Sequence, residues 1–208
     1  MRPTKHLGDD GLARYTSTSD DDRIDEQLAR AEGISLGMAG PVTARMIEEA
    51  LTRFSPGIDD LVQLIKVFPH VTEPAARSVA KALLAFQHGD YEAAATMAMP
   101  RIETLVRALC DEKSVLRFRP QRNQRQGPST RGQYPQLGAL LGQLRPWLDP
   151  SWYRFLWTFL VSPFGPNLRN ELLHGFTDEV MPAHAALTIL AALRLALVPL
   201  PDAPGVEA

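Results

Sequence analysis

Residues 90–112 read DYEAAATMAMPRIETLVRALCDE, and this run decides the fold class. Ile102, Leu105, Val106 and Leu109 recur at helical spacing and share one face. Asp90 stands where an N-cap belongs, with a carboxylate able to accept from the unpaired N–H groups of a first turn. Pro100 falls inside the pattern and lacks the N–H that the helix ladder needs, so a kink or a break into two helices is expected. Glu103 and Arg107 are four apart and are expected to pair as a solvated surface bridge, worth a few tenths of a kcal/mol. Cys110 is the single cysteine. It lies in the same apolar run and reads as a small buried hydrophobe.

Toward the N-terminus the same period continues. EPAARSVAKALLAFQHGD predicts a helix ending at Gly89, and SPGIDDLVQLIKVF predicts another closed by Pro69. PVTARMIEEALTRF places Pro41 at a helix start, with Val42, Met46, Ile47, Ala50, Leu51 and Phe54 on one face. RIDEQLARAEG predicts a separate short helix that stops near Gly33. The first 22 residues, which include TSTSDDD, are polar and aperiodic and are expected to be a disordered arm.

Toward the C-terminus, residues 113–136 break the pattern and predict a long loop. From Lys113 through Leu148 there are seven basic residues (Lys113, Arg117, Arg119, Arg122, Arg125, Arg131, Arg145) and no acidic one. LGALLGQLRPWL predicts a helix. Asp149-Pro150 caps and opens SWYRFLWTFLV, whose heavy apolar face reads as core or dimer surface. Asn167 is expected to cap a short helix over Leu168–His174 that Gly175 ends. Ala183 to about Val198 predicts the closing helix.

No run shows sustained strand alternation. The chain therefore reads as all-α: an antiparallel helical bundle over residues 90–200, preceded by a helical region over 23–89 and followed by a flexible tail, 201–208. Short helices with short connections favour antiparallel packing.

Composition narrows the function classes. The chain has 208 residues and a formal net charge of -2, which excludes a strongly basic nucleic-acid coat but not a local basic patch. One cysteine admits no disulfide within a chain and fits a reducing compartment. The polar start MRPTKHLGDD shows no signal peptide, and the apolar run Ala185–Leu200 is broken by Arg194 and shorter than the roughly 20 residues of a membrane span. A cytoplasmic protein without a membrane partner is expected. Phosphate-cradling, dinucleotide, zinc-protease and nucleophile-elbow motifs are absent from the sequence, and the five histidines are not at metal-ligand spacing. No metal or cofactor is expected.

What remains is Arg169, Asn170 and His174, in NLRNELLHG. An arginine and a histidine suit phosphodiester cleavage in RNA, which carries its own nucleophile, the 2′-OH. Histidine moves protons near neutral pH, and arginine stabilises charge on phosphorus. On an ideal helix Asn170 and His174 share a face, whereas Arg169 lies about 140° from His174. A short helix facing a two-fold axis would let each subunit contribute one group to a shared cleft. The competing reading is a helix-capping network at a buried turn.

GPNLRNELLHGF resembles the RNxxxHG signature of HEPN domains, and PRIETLVRAL and LGALLGQLRPWLDPSWYRFLWTFLVSP are similar to the same family over roughly residues 91–198. The resemblance implies a HEPN-like bundle that dimerises through its motif helices. It implies a metal-independent endoribonuclease that leaves a 2′,3′-cyclic phosphate, with Arg169 on the phosphate, His174 as acid or base, and Asn170 orienting the histidine. It equally implies the alternative of a non-catalytic RNA- or nucleotide-binding or dimerisation module. The expected partners are RNA, guided by Arg117, Arg119, Arg122, Arg125 and Arg131, and a second copy of the chain. An antitoxin or regulatory protein is a further candidate.

Overall fold

A computed structural model describes residues 4–7, 13–17, 19–115, 119–120, 132–133, 135–176, 179–197 and 199–201. Eight α-helices dominate them, so the chain is all-helical in class. These are α1 (Asp20–Phe54), α2 (Ile58–Ile65), α3 (Glu73–Gln87), α4 (Tyr91–Glu112), α5 (Leu137–Leu144), α6 (Pro150–Leu160), α7 (Leu168–Leu173) and α8 (Pro182–Leu197).

The centre is α4, packed against α3 and α8; α1 lies on α8 and α2 on α3. The face expected from its sequence is the buried one: Ile102, Leu105, Val106, Leu109 and Cys110 are all sealed from solvent. Asp90 caps α4 as its position suggests, its Oδ1 accepting from the Ala93 N–H at 3.0 Å. Pro100 does not split the helix, which runs unbroken from Tyr91 to Glu112. Burial of Ala98, Met99 and Ile102 around it outweighs the missing hydrogen bond. One apolar cluster spans Ala44 to Leu200, so the helices before and after residue 90 share a single core.

The N-terminal expectations need two corrections. Where a short helix, a stop near Gly33 and a new start at Pro41 were expected, α1 is one helix of 35 residues with Pro41 inside it. The local breakers are overridden by packing. A Cβ on Gly40 would lie 2.8 Å from the Ala183 Cβ, so glycine there lets α1 approach the start of α8 closely. Farther up, Arg154 of α6 clamps α1 by donating to Asp25 at 2.7 Å and to both Glu32 oxygens at 2.8 Å. Thr158 and Ser162 complete this polar network with hydrogen bonds to Glu32 and Asp25.

The second correction concerns the arm. Thr4–Leu7 (β1) and Ala13–Ser17 (β2) pair as antiparallel strands, and α1 begins at Asp20, inside the segment expected to be disordered. Threonine and tyrosine favour extended backbone, and the Asp10-Gly11 pair between the strands is a hairpin signal. Within the expected long loop, Arg119–Pro120 (β3) pairs with Gly132–Gln133 (β4). The tail beyond Pro201 lies outside the described residues. Among the described residues no helix is long and apolar enough to cross a membrane.

Candidate functional site

The segment that carries Arg169, Asn170 and His174 is held in place by unusual backbone at both ends. Before it, Gly165 passes over Thr158 so closely that a Cβ would stand 2.2 Å from the Thr158 carbonyl oxygen. Asn167 follows in the left-handed region, φ 48°, which asparagine tolerates better than most residues. It stands at the start of α7, but its side chain does not cap the helix as expected. The left-handed backbone turns the amide sideways, where Asn167 Oδ1 accepts from Asn170 Nδ2 at 2.8 Å. The Asn167 carbonyl takes up the Asn170 and Glu171 N–H groups instead.

The C-terminal end behaves as its sequence predicts. Gly175 adopts φ 68°. The Phe176 N–H donates to the Glu171 carbonyl at 2.8 Å and the Gly175 N–H to that of Leu172 at 3.3 Å. This is a Schellman ending, which glycine permits without Cβ strain.

On so short a helix, Arg169 and His174 diverge. Arg169 points toward α4 and is three-quarters buried. Its Nη2 donates to Glu103 Oε2 at 3.2 Å and its Nη1 to Asn170 Oδ1 at 3.2 Å. Glu103 is shared: Arg107 Nη2 donates to its other oxygen at 2.6 Å and also to the Pro135 carbonyl at 3.0 Å. The Glu103–Arg107 pair is thus not the solvated surface bridge its spacing suggested, because each side chain is about three-quarters buried. Burial alone would raise the Glu103 carboxyl. The hydrogen bonds and charges of Arg107 and Arg169 outweigh it and hold the group below the ordinary glutamate value.

These three residues, with Met99, Pro100, Thr104 and Leu173, line a shallow cleft of about 280 Å³. Two guanidinium groups face one carboxylate there, which leaves a net positive charge suited to an anion.

His174 is not in the cleft. It is exposed at the end of α7, its ring 5.8 Å from that of Phe176. Leu173 and Phe176, beside it in the chain, leave about half of their surface open. The Asn170 side chain accepts from Arg169 Nη1 and donates to Asn167 Oδ1. The Asn170 backbone carbonyl receives the His174 N–H at 3.0 Å.

The expected RNA-guiding residues Arg117, Arg122, Arg125 and Arg131 lie outside the described residues, as does the side chain of Arg119. The two other basic residues of that run are engaged with the protein. Lys113 donates to the Leu200 carbonyl at 3.4 Å, and the Arg145 guanidinium lies 5.2 Å from the Tyr153 ring centre. Among the described residues no three His, Cys, Asp or Glu side chains group to hold a metal ion.

Sequence reasoning missed Glu103 as part of the site. The Glu103-to-Arg107 spacing was visible, but nothing local announces an arginine arriving from 66 positions away. Compared with protein families, characterised proteins and solved structures, the chain matches none.

Proposed function

We propose that the chain is a HEPN-like ribonuclease that cleaves RNA without a metal ion, at a site formed by two copies of the chain. One observation carries the reading. A six-residue helix presents an arginine inward, into a cationic cleft, and the residue that ends it is a histidine turned outward beside the exposed Leu173 and Phe176. Within one copy they do not converge. Across a two-fold axis the outward His174 of one copy can face the Arg169 cleft of the other.

The chemistry follows from what these groups do. The 2′-oxygen attacks the adjacent phosphorus while its proton passes to His174. The P–O5′ bond breaks, the leaving 5′-oxygen takes up a proton, and a 2′,3′-cyclic phosphate remains. Arg169 neutralises the charge that builds on the equatorial oxygens, with Arg107 behind it. Glu103 and Asn170 hold the Arg169 guanidinium in place until a phosphate competes for it.

The test is labelled single-stranded RNA incubated with the full chain in EDTA, beside His174→Ala and Arg169→Ala. Cleavage ending in a cyclic phosphate is expected from the unaltered chain, with a loss of at least about 100-fold in each variant. Equal behaviour of all three proteins across varied RNAs overturns the reading.

A non-catalytic RNA- or nucleotide-binding module has one observation in its favour: Arg169 is already engaged by a carboxylate. RNA bound but left intact, with binding lost in Arg169→Ala, would identify that module.

A further inference from the structure

An aromatic side chain stands in solvent beside the motif histidine. Among the described phenylalanines, tyrosines and tryptophans, only Phe54 and Phe176 are exposed. Phe54 ends α1, with the Arg53 guanidinium 5.5 Å from its ring centre. Phe176 is 46% exposed, and its ring centre lies 5.8 Å from that of His174, the two planes tilted by 39°.

The backbone anchors both rings. Phe176 is the second residue past the end cap of α7, and its N–H donates to the Glu171 carbonyl at 2.8 Å. The His174 N–H is held by the Asn170 carbonyl at 3.0 Å, and Gly175 turns the chain between them at φ 68°. An apolar residue at the place of Phe176 commonly lies back against the helix it follows. A leucine serves that contact as well as a phenylalanine, and nearly half of this side chain is not spent on it. A ring held in place beforehand loses little freedom when a ligand covers it.

The spacing of the two rings gains a chemical meaning if His174 takes the proton of a ribose 2′-hydroxyl, the reading on which this inference rests. The 2′-oxygen and the base of one nucleotide are attached to neighbouring carbons of the same ribose. A histidine within hydrogen-bond reach of that oxygen therefore brings the base to an aromatic ring adjoining it. Every base has a π-face, so such a ring binds bases without reading their identity. The Arg169 cleft supplies no aromatic ring of its own. Its lining of Met99, Pro100, Glu103, Thr104, Arg107 and Leu173 around the arginine suits a phosphate, not a stacked base.

We propose that Phe176 is the base platform of the site, stacking on the nucleobase whose 2′-oxygen His174 addresses. The contact makes the substrate a single strand with that base splayed out. A paired base in a duplex lies between its neighbours and offers no face to the ring.

The experiment measures binding by the full chain, so that it does not depend on cleavage. Fluorescence anisotropy follows a labelled single-stranded 2′-deoxyadenosine oligomer, which lacks the attacking oxygen, and a deoxyribose-phosphate oligomer of the same length without bases. The unaltered chain should bind the adenine strand at least about tenfold more tightly than the base-free one. Phe176→Leu, with its helical signal unchanged, should bind the two within about twofold of each other, whereas Phe176→Tyr keeps the preference. Arg169→Ala should weaken both strands by a similar factor, because the phosphates are common to them. The unaltered chain and Phe176→Leu should bind the adenine strand alike once it is paired with its complement. A base preference that survives in Phe176→Leu overturns the proposal. So does an unaltered chain that shows no preference, whether it binds both strands or neither. A preference lost in Phe176→Leu upholds the platform even where RNA is left intact, which sinks only the ribonuclease reading. RNA cleaved by a chain without base preference sinks only the platform.

Discussion

Arg169 and Glu103, 66 positions apart, meet at 3.2 Å in a cleft between α7 and α4. The pair places the motif arginine and also competes with any phosphate for it. Arg107 shares the same carboxylate from the other side, so Glu103 sits between two cations.

Glu103→Gln keeps the shape and removes the charge. A phosphate then no longer displaces an ion pair, nor meets a carboxylate. The KM for RNA should fall about three- to tenfold, with kcat unchanged or lower, as measured by steady-state cleavage. An unaltered KM would mean that Glu103 does not compete for Arg169. The linked effect on stability has a definite sign. The folded-state value of Glu103 is lowered, so its contribution is complete above the ordinary glutamate value and is lost as pH falls through the lowered one.

Two glycines near the motif should respond differently to alanine. At Gly165 a Cβ would meet the Thr158 backbone oxygen at 2.2 Å, so the chain before α7 must move. Gly165→Ala should cost more than about 2 kcal/mol and displace the motif. At Gly175 there is open space but a positive φ, so Gly175→Ala should cost only about 1 kcal/mol. Thermal unfolding of both variants checks the order, with roughly 2–4 °C expected per kcal/mol in a chain of this length.

His184, near the start of α8, is mostly buried and packs 6.4 Å from the Phe159 ring. Burial pushes its imidazole below the ordinary histidine value. The unfolded chain then binds the proton more readily than the folded one. Stability should decline as pH falls from about 6.5 toward the lowered value. In His184→Gln that part of the pH profile should flatten. An identical profile in the variant would assign the decline to other groups.

Some of this molecule was legible in its sequence because the causes are local. Asp90 and Asp149 cap the helices that follow them, Gly175 ends α7, and the buried face of α4 follows from its spacing alone. The misreadings share a different cause. Gly33 and Pro41 are genuine local breakers, yet α1 continues through both because Ala183 and the Arg154 network hold it from outside. Asn167 has the right residue type for a cap, but its left-handed backbone sends the side chain to Asn170. Glu103 carried the signature of a surface pair, and only the fold brings Arg169 onto it. Periodicity sees one helix at a time, whereas these contacts belong to pairs of helices.

The central claim is that Arg169 of one copy works with His174 of another. It is tested most directly by mixing two inactive variants, Arg169→Ala and His174→Ala, in equal amounts and allowing the subunits to exchange. Half of the resulting dimers would be mixed, each with one intact site of two. RNA cleavage should therefore return to about a quarter of that of the unaltered protein. Two variants that stay inactive after complete exchange would contradict the shared site and return Arg169 and His174 to a structural role at the turn.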